Sequence, residues 1–301
     1  MINTITLNPS LDYVVKVDNF KADALNRSCN EQVYAGGKGI NVSIVLKNLG
    51  VDNTALGYIA GFTGDEILRQ VKEHNVDCDF VKLKNGMSRI NVKLKSDGET
   101  EINGAGPDIS EKDLECLYDK VNKLTKGDFL ILSGSIPKSV PDDIYERIMK
   151  NLLNKEVEFI VDATKDLLLK VLKYKPFLIK PNHHELAEMF DVELESDEDI
   201  IKYGRKLQEM GAKNVLISMA GDGAILLPEN GNAIKREVPK GVLKNSVGAG
   251  DSMVAGFLCG YLKNRNIDEA FKMGIATGSA SAFSEELATK EEVENLLLQI
   301  K

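Results

Sequence analysis

From about residue 110 onward, short apolar runs alternate with segments of helical periodicity, and this alternation restricts the possible fold more than any other feature. Four runs are continuously apolar, as expected for central parallel strands covered on both faces, and they span residues 129–132, 159–161, 177–179 and 215–217. The amphipathic segments between and after them span residues 140–153, 197–210, 267–283 and 291–300. Such a β-α-β alternation is typical of a parallel sheet with helices on both faces. The sequence therefore predicts an α/β fold with a doubly wound, mostly parallel sheet flanked by helices.

The first hundred residues show a different pattern. Residues 13–17, 30–34 and 90–95 alternate apolar with polar side chains, which is typical of strands with one buried face. Residues 96–99 have the composition of a hairpin turn that leads back along residues 100–103. A small sheet with one wet face does not form a domain by itself. We therefore predict one domain, residues 1–301, that carries a β-sheet lid or interface with strands within about 12–35 and 88–104.

A turn of small residues leads into a nearly all-apolar helix at residues 245–257. Such a helix must be buried, so its N-terminus faces inward, where unpaired N–H groups and the positive end of the helix dipole can hold an anion. Gly248, Ala249 and Gly250 allow a ligand to approach these N–H groups closely. Asp251 is then a single base beside an anion site, which suits phosphoryl transfer to a hydroxyl. The alternative is structural, because aspartate is also a common N-cap after a glycine-rich turn.

Two common nucleotide-binding motifs are missing from the sequence. The G-x-G of residues 248–250 lacks the third glycine of a dinucleotide-binding turn, since Met253 holds that position. No Gly-Lys-Ser or Gly-Lys-Thr of a P-loop occurs anywhere. If the chain binds ATP, it uses another arrangement.

Composition narrows the classes of partner. The net charge of −8 argues against nucleic acid, and it requires that a phosphorylated ligand be met by locally placed cations. The four cysteines form no C-x-x-C pair, which indicates a reducing compartment. The sequence contains neither a basic N-terminal region nor a long apolar run. We therefore expect no signal peptide, no membrane association and a cytoplasmic protein.

Polar residues follow each of the four apolar runs at the point where the predicted strand ends. These residues are Ser133-Gly134-Ser135, Asp162, Lys180-Pro181-Asn182 and Ser218. The carboxyl ends of parallel strands meet at one edge of an open α/β sheet, and that edge is where ligands bind. Loops also begin there, so one polar residue alone indicates little. Together they predict a ligand crevice at this edge.

A second glycine-rich segment lies at residues 36–39, Gly-Gly-Lys-Gly. Its glycines permit close approach of the backbone to a ligand, and Lys38 supplies a point charge. The alternative is a tight turn between a strand and a helix, with the lysine in solvent.

Asn182 and Glu185 stand one helical turn apart after the third apolar run. This spacing suits a hydrated Mg²⁺ held through water and phosphate oxygens. It also suits a capping box, in which the two residues cap a helix and bind no metal. A zinc site is disfavoured, because Glu188 occupies the position of the second histidine in the H-E-x-x-H motif.

Five motifs occur in the order found in the ribokinase-like carbohydrate kinases, and the chain resembles that family over essentially its whole length. The motifs are residues 6–12, 36–43 and 133–137, Lys180-Pro181-Asn182-x-x-Glu185, and residues 247–252. The Asn8-Pro9-Ser10-x-Asp12 segment is similar to the phosphosugar-kinase branch of this family. Residues 88–93 and 99–107 are most similar to the fructose 1-phosphate kinases of that branch.

The resemblance implies a role for each matching position. It implies that Asp251 accepts the proton of the sugar hydroxyl, and that Gly248, Ala249 and Gly250 hold the transferring phosphoryl group. The residues that it implies for the sugar phosphate are Asp12, Arg27, Gly37, Lys38, Asn41, Arg89, Ser135 and Asp251, of which Arg27, Arg89 and Ser135 meet the phosphate. The residues that it implies for ATP are Lys180, Asn182, Ser218, Met219, Ala220, Gly221, Asp222, Gly223, Gly250, Asp251 and Gly278. It implies Mg²⁺ with ATP, held indirectly by Asn182 and Glu185.

Three places depart from the family pattern. Lys138 replaces a proline that usually follows the Ser-Gly-Ser-x-Pro motif. Ala220 stands where the nucleotide loop commonly has glycine. Residues 283–286 lack a glycine often found there, near the expected adenine pocket.

The resemblance implies an ATP-dependent kinase that converts fructose 1-phosphate to fructose 1,6-bisphosphate, with these sugar phosphates and ATP as its partners. The nearest alternatives are kinases for tagatose 6-phosphate or fructose 6-phosphate. A non-catalytic sugar-phosphate sensor is disfavoured, because Asp251 and the preceding Gly-Ala-Gly are intact. A lid needs cover when the site is empty, so we also expect a homodimer through residues near 13–17, 30–34 and 90–103, with Arg27 close to the active site of one chain or the other.

Overall fold

The computed structural model describes residues 1–300, within which fourteen strands and ten α-helices form. The strands are β1 (Ile2–Thr6), β2 (Ser10–Lys16), β3 (Asn30–Gly36), β4 (Thr54–Ala60), β5 (Asp77–Cys78), β6 (Val81–Leu83), β7 (Arg89–Lys95), β8 (Glu99–Asn103), β9 (Phe129–Ser133), β10 (Glu158–Asp162), β11 (Leu178–Ile179), β12 (Asn214–Ser218), β13 (Ala224–Leu227) and β14 (Ile234–Arg236). The helices are α1 (Lys38–Asn48), α2 (Gly61–Glu73), α3 (Glu111–Val121), α4 (Ile144–Asn151), α5 (Lys165–Val171), α6 (His183–Phe190), α7 (Asp197–Glu209), α8 (Ala249–Asn264), α9 (Ile267–Phe283) and α10 (Lys290–Leu297).

The main sheet has ten strands and is parallel except at one side. Its order is β14-β13-β12-β11-β10-β9-β1-β4-β5, with β6 also paired to β4. Its antiparallel pairs are β12 with β13 and β13 with β14. Strands β12 and β13 are antiparallel because the short turn that joins them leaves no room for a crossover helix. Two large apolar clusters, one on each face, cover the central strands. The predicted doubly wound, mostly parallel sheet is confirmed. The apolar runs at residues 129–132, 159–161 and 215–217 lie within β9, β10 and β12, and the run at residues 177–179 contains β11, with Phe177 just before the strand.

The first hundred residues contribute more to the main sheet than their sequence indicates. Strand β1 lies at the middle of the sheet, between β4 and β9, and all five of its residues are buried. The prediction that this part of the chain forms only small-sheet strands is therefore wrong for β1. The reason is that polar residues interrupt the apolar pattern of β1. Thr4, for example, is buried because its hydroxyl pairs with that of Ser43 at 2.7 Å.

The small sheet has the strand order β3-β2-β7-β8 and is separate from the main sheet. Strands β7 and β8 form the predicted antiparallel hairpin, whereas β2 and β7 are parallel. Leu11 and Ile90 lie at the base of the sheet and pack with Ile40, Ile44 and Ile67 of α1 and α2. The small lid sheet of the predicted fold class is confirmed. The assignment of residues 1–301 to one domain stays a prediction.

Helix α8 is buried, as its composition predicts, and it packs along α9. Residues Asp251–Gly260 of α8 are all buried. The two helices approach closely because glycines lie at their contacts: a Cβ on Gly256 would come within 2.3 Å of the Thr277 hydroxyl oxygen. No helix within residues 1–300 has the length and apolar character needed to cross a membrane.

Candidate active site

Asp162, at the carboxyl end of β10, contacts two lysines from other parts of the chain. Its side chain is 1% exposed. Lys38 Nζ donates to Asp162 Oδ1 at 3.1 Å, and Lys180 Nζ lies 3.6 Å from Asp162 Oδ2. Burial alone would raise the pKa of Asp162, but the ammonium groups of Lys180 and Lys38 outweigh burial and hold that pKa below its usual range. The carboxylate therefore stays ionised and holds both lysines at this edge of the sheet.

Asp251 lies in the first turn of α8, beside this cluster. It is the third residue of the helix, and Gly248, with φ of +78°, is the N-cap. The side chain of Asp251 caps nothing: its Oδ2 accepts a hydrogen bond of 2.8 Å from Asn41 Nδ2. The N-cap alternative is therefore wrong for this residue.

The environment of Asp251 shifts its proton affinity. Its side chain is 6% exposed. Burial first, and then repulsion from Asp162, raise the pKa of Asp251 to about 7, against the opposing effects of Lys38, Asn41 and Lys180. A carboxyl group with this pKa can accept a proton near neutral pH, as a general base must.

The backbone of Gly250 is open to a ligand only because the residue has no side chain. A Cβ at this position would lie 3.1 Å from Lys180 Nζ. The first N–H groups of a helix have no acceptor within the helix. The Ala249 N–H donates to the Ser246 carbonyl oxygen at 3.3 Å, whereas the N–H groups of Gly248 and Gly250 form no hydrogen bond within residues 1–300. These two donors lie next to the buried Lys180, and this arrangement can hold a phosphoryl group.

Asp12 of β2 is held by three side chains on the small sheet. Its Oδ1 accepts from Ser10 Oγ at 2.7 Å and from Asn91 Nδ2 at 2.9 Å, and its Oδ2 lies 3.2 Å from Lys93 Nζ. A Cβ on Gly36 would lie 2.7 Å from the Asp12 carboxyl group, so glycine is required there. The network fixes the orientation of the Asp12 carboxylate.

A cavity of about 990 Å³ lies against the small sheet, and residues of α1, α2 and the segment before α8 also line it. Asp12, Gly36, Asn41 and Lys93 are among the residues that line it. This volume falls within the range of small-molecule sites.

The other residues predicted for the sugar phosphate are more dispersed. Gly37 is the N-cap of α1 and has φ of +126°, which favours glycine. Arg89 begins β7, and its Nε donates to the carbonyl oxygen of Asn8 at 3.1 Å. Ser135 is exposed in the loop after β9. Arg27 is exposed in the loop between β2 and β3 and forms no hydrogen bond or ion pair with other residues of the 1–300 range. The geometry brings Asp12, Lys38, Asn41 and Asp251 to one site, and it leaves Arg27 at its periphery.

The predicted nucleotide loop joins β12 to β13. Ser218 ends β12 and pairs with Asn182 in an isolated parallel bridge, and Ala220–Asp222 form a short 3₁₀ turn. A second cavity, of about 550 Å³, is lined by Met219, Gly221 and Asp222, among others. Gly223 cannot carry a side chain, since its φ is +87° and a Cβ would lie 2.0 Å from the carbonyl oxygen of Arg236. The loop borders an accessible cavity.

Three of the predicted nucleotide and metal positions have structural roles. Gly278 is buried in α9, where a Cβ would lie 3.1 Å from the carbonyl oxygen of Ala249. Asn182 and Glu185 form the capping box of α6, with reciprocal hydrogen bonds of 2.8 Å. The capping alternative is therefore confirmed. A role of these residues in binding ATP or Mg²⁺ stays a prediction.

Among residues 1–300, no group of three or more His, Cys, Asp or Glu side chains is placed to hold a metal ion. Magnesium that enters with a nucleotide needs only one or two carboxylates, because phosphate oxygens and water complete its coordination. Asp162 Oδ2 is buried and accepts no hydrogen bond. Glu185 Oε2 accepts from the Asn182 N–H, and its other carboxylate oxygen forms no hydrogen bond within residues 1–300. The donor set therefore fits Mg²⁺ bound with ATP and does not fit a metal held by the protein alone.

Three residues of the site were not selected from the sequence. In the sequence, Asp162 is one of the polar residues that predict the ligand crevice, and Asn91 and Lys93 lie in the strand at residues 90–95 and in the motif at residues 88–93, but none of the three is assigned a role of its own. The alternation of β7 places Asn91 and Lys93 on one face, which was the available signal. Their contacts with Asp12, 79 residues away in the case of Asn91, depend on the parallel pairing of β2 and β7.

Comparison with known proteins places these features in a family. A family model described as "pfkB family carbohydrate kinase" matches residues 6–293. The chain is 50% identical to 1-phosphofructokinase of Bacillus subtilis, covering 100% of this chain and 99% of that protein. It is 38% identical to a D-tagatose-1-phosphate kinase of Bacillus licheniformis, again over 100% and 99% of the two chains. The structure of phosphofructokinase-2 from Escherichia coli in complex with substrates and products matches with a TM-score of 0.93 at 26% identity, over 99% of this chain and 98% of that chain. The similarity extends over the whole chain and is not confined to one motif.

Proposed function

The chain belongs to the pfkB family of carbohydrate kinases, and from this premise we propose that it transfers the γ-phosphoryl group of ATP to the free primary hydroxyl of fructose 1-phosphate, giving fructose 1,6-bisphosphate. The observation that carries this proposal is the placement of Asp251. A single carboxylate with a raised pKa lies beside the open N-terminus of a buried helix, at the edge of a cavity that also contains Asp12 and Asn41. The 50% identity to a 1-phosphofructokinase supports the choice of sugar.

In the proposed reaction, Asp251 accepts the proton of the sugar hydroxyl. The hydroxyl oxygen forms a bond to the γ-phosphorus, the bond from that phosphorus to the β,γ-bridging oxygen breaks, and ADP leaves. The N–H groups of Gly248–Gly250 and the ammonium of Lys180 face the transferring group and stabilise its charge. Asn41 holds Asp251 in position through its 2.8 Å hydrogen bond.

Mg²⁺ bound with ATP supplies charge neutralisation for the phosphates. Asn182 and Glu185 remain the proposed residues that hold it indirectly. Ser218–Gly223 and Gly278 remain the proposed nucleotide contacts.

Arg27, Arg89 and Ser135 are the proposed contacts for the phosphate already on the sugar, with Asp12, Gly37, Lys38 and Asn41 holding the sugar itself. Arginine suits a phosphate because its planar fork can donate two parallel hydrogen bonds. Arg89 is the best supported of the three, since it begins β7 on the same strand as Asn91 and Lys93.

One alternative substrate has direct support. The 38% identity to a D-tagatose-1-phosphate kinase favours tagatose 1-phosphate as a second candidate. This sugar also carries its phosphate on C1 and differs from fructose 1-phosphate in configuration at C4. Fructose 6-phosphate and tagatose 6-phosphate are weaker candidates, because their phosphate is at the other end of the sugar.

Steady-state kinetics with all four sugar phosphates test the proposal. We expect the highest kcat/KM with fructose 1-phosphate. A higher kcat/KM with tagatose 1-phosphate would replace the proposed substrate but keep the reaction. Turnover of none of the four would overturn the proposed function.

We further propose that the chain forms a homodimer through its small sheet. One face of this sheet carries an apolar row across all four strands, formed in register by Val33, Tyr13, Val92 and Ile102. Val33 is 44% exposed and Ile102 is 64% exposed. A second copy of the same face would cover this row by two-fold symmetry. Arg27 lies in the β2–β3 loop beside this sheet, and a partner chain could receive it.

A further inference from the structure

Lys93 is the one lysine of β7 that reaches the carboxylate of Asp12. Its Nζ lies 3.2 Å from Asp12 Oδ2 and 4.0 Å from Glu101 Oε1, and its side chain is 14% exposed. Asp12 is equally covered, at 15%, whereas Glu101 is 50% exposed. The shorter and better-covered contact, with Asp12, is the stronger one, because solvent screens an exposed ion pair.

Strand register explains how Lys93 reaches Asp12. Strands β2 and β7 are parallel, with Asp12 opposite Asn91 and Val14 opposite Lys93. Lys93 and Asn91 are two residues apart and thus share the face that carries Asp12. The Lys93 side chain therefore extends back along β7 by two residues to reach Asp12. Both Asp12 and Lys93 line the large cavity.

The charges around Asp12 indicate why its contact with Lys93 matters for binding an anionic sugar. Lys38 and Lys180 are engaged by Asp162 at the other side of the site. Around Asp12 the nearby charged groups are Asp12, Glu101, Arg89 and Lys93, and their charges cancel. Without Lys93, the two carboxylates would outnumber Arg89, and the net negative charge would repel a sugar phosphate. The protein as a whole, at −8, would repel that anion.

We propose that Lys93 is a positioning residue for the sugar phosphate: it fixes the Asp12 carboxylate and neutralises it, so that an anionic sugar can bind beside it. This inference rests on the proposed function, since it assumes that the substrate is a phosphorylated sugar bound at Asp12. Lys93 acts on binding of the sugar phosphate, and the ATP side of the site is independent of it.

The test compares Lys93→Met with Lys93→Arg, using whichever of the four sugar phosphates the wild-type chain phosphorylates fastest. In Lys93→Met we expect KM for the sugar phosphate to rise roughly ten- to a hundredfold, the usual effect of losing a hydrogen bond to a charged group, while kcat and KM for ATP stay within about threefold. Lys93→Arg keeps the charge and should restore most of the affinity.

Lys95→Met is the matched control. Lys95 lies two residues further along the same face of β7, and its Nζ pairs only with the exposed Glu99, at 3.4 Å. The substitution removes the same charge from the same strand, yet we expect KM for the sugar phosphate to change by less than about threefold. A rise in KM equal to that of Lys93→Met would overturn the proposal, because general charge alone would then explain the effect.

A double-mutant cycle with Asp12→Asn tests the route of the effect. If Lys93 acts through Asp12, Lys93→Met should cost much less in the Asp12→Asn background than in the wild type. Equal costs in both backgrounds would contradict the inference. An unchanged KM in Lys93→Met would also overturn it, whichever sugar is the substrate.

Discussion

At the scale of single residues, Asp162 and Asp251 show how neighbours control one type of side chain. Both are buried at the same edge of the sheet, yet the pKa of Asp162 is lowered and that of Asp251 is raised to about 7. Two ammonium groups contact Asp162 directly, whereas Asp251 has an amide as its hydrogen-bond partner and feels Asp162 as a like charge. Their environments thus keep Asp162 ionised and allow Asp251 to accept a proton.

Asp251→Asn should lose catalysis and gain stability. We expect kcat to fall roughly 10²- to 10⁴-fold, because the proton acceptor is lost, while sugar phosphate and ATP still bind. Folding raises the pKa of Asp251 from an ordinary value of 3.8 to about 7, so its ionisation costs stability as the pH rises through this window. The substitution should therefore raise the free energy of unfolding on the order of 1–4 kcal/mol at pH 8, and by much less near pH 4.

Circular dichroism melts at the two pH values, together with steady-state kinetics, measure these effects. A variant with near-wild-type kcat would remove Asp251 from the proposed chemistry. A variant that is less stable than the wild type at pH 8 would show that burial of this charge is not costly.

The pH dependence of the reaction should report the same pair of carboxylates. Because Asp251 must be ionised to accept a proton, kcat/KM should fall as the pH drops below about 7. In Asp162→Asn, the repulsion between the carboxylates of Asp162 and Asp251 disappears, while Lys38 and Lys180 keep their charge. The decrease of kcat/KM on the acidic side of the pH profile should therefore move to lower pH. Both enzymes are measured with the same sugar phosphate, so its own ionisation cancels from the comparison. A limb that stays in place would show that Asp162 does not influence the titrating group.

At the scale of secondary structure, packing between α8 and α9 positions the turn at residues 248–251, which carries the proposed catalytic residues. Glycines of α8 allow the contact, because Cβ atoms on Gly256 and Gly260 would lie 2.3–2.8 Å from atoms of α9. The close packing leaves α8 little freedom to shift, and its N-terminus carries Gly248–Asp251. Gly256 and Gly260 thus help to position the candidate site, although they lie outside it.

Gly256→Ala should destabilise the fold by overpacking this contact. The new methyl group would meet Thr277 and the carbonyl oxygen of Met273, at 2.3–2.6 Å, and the helices would have to separate. We expect a loss of roughly 1–3 kcal/mol in the free energy of unfolding by urea. Gly98→Ala is the control, since a Cβ there meets nothing within 4 Å, and it should change stability by less than about 0.5 kcal/mol. Similar losses in both variants would remove the packing explanation.

At the scale of the whole molecule, Asn41 connects two parts of the candidate site. It donates to Asp251, which lies near Asp162 and Lys180, and it lines the large cavity together with Asp12 and Lys93 of the small sheet. An acidic protein can bind an anionic substrate only through locally placed cations, and Lys38, Arg89 and Lys93 are the proposed ones. The outward face of the small sheet remains apolar and partly exposed, which is the basis for the proposed dimer.

Ile102→Asp should separate the proposed dimer. The side chain is 64% exposed within one chain, so a charge should be tolerated in the monomer but not in an apolar interface. We expect sedimentation to give a dimer for the wild type at micromolar concentration and a monomer for the variant. Phe62→Asp, which changes a 70% exposed side chain on α2, should remain dimeric. A wild-type monomer with full activity would refute both the dimer and any shared site.

The parallel strands, the buried helix α8 and the sheet edge where the candidate site lies could be predicted from the amino-acid sequence. These features depend on periodicity and on turn chemistry within short stretches of chain, which can be read without the partners of each residue. The glycine-rich start of α8 and the carboxylate of Asp251 belong to the same class. Resemblance to the kinase family added the order of the motifs.

Which long-range partners these elements meet was known only from the tertiary structure. It placed β1 at the centre of the main sheet, although buried polar residues hide its pattern, and it brought Lys38 to Asp162 across 124 residues. It also showed Asn182 and Glu185 as a helix cap, and Gly278 as a packing glycine. The physical reason is that burial, strand register and contacts between charges depend on residues far apart in the chain, and these same quantities set the pKa of Asp251 and the pairing of Lys93 with Asp12.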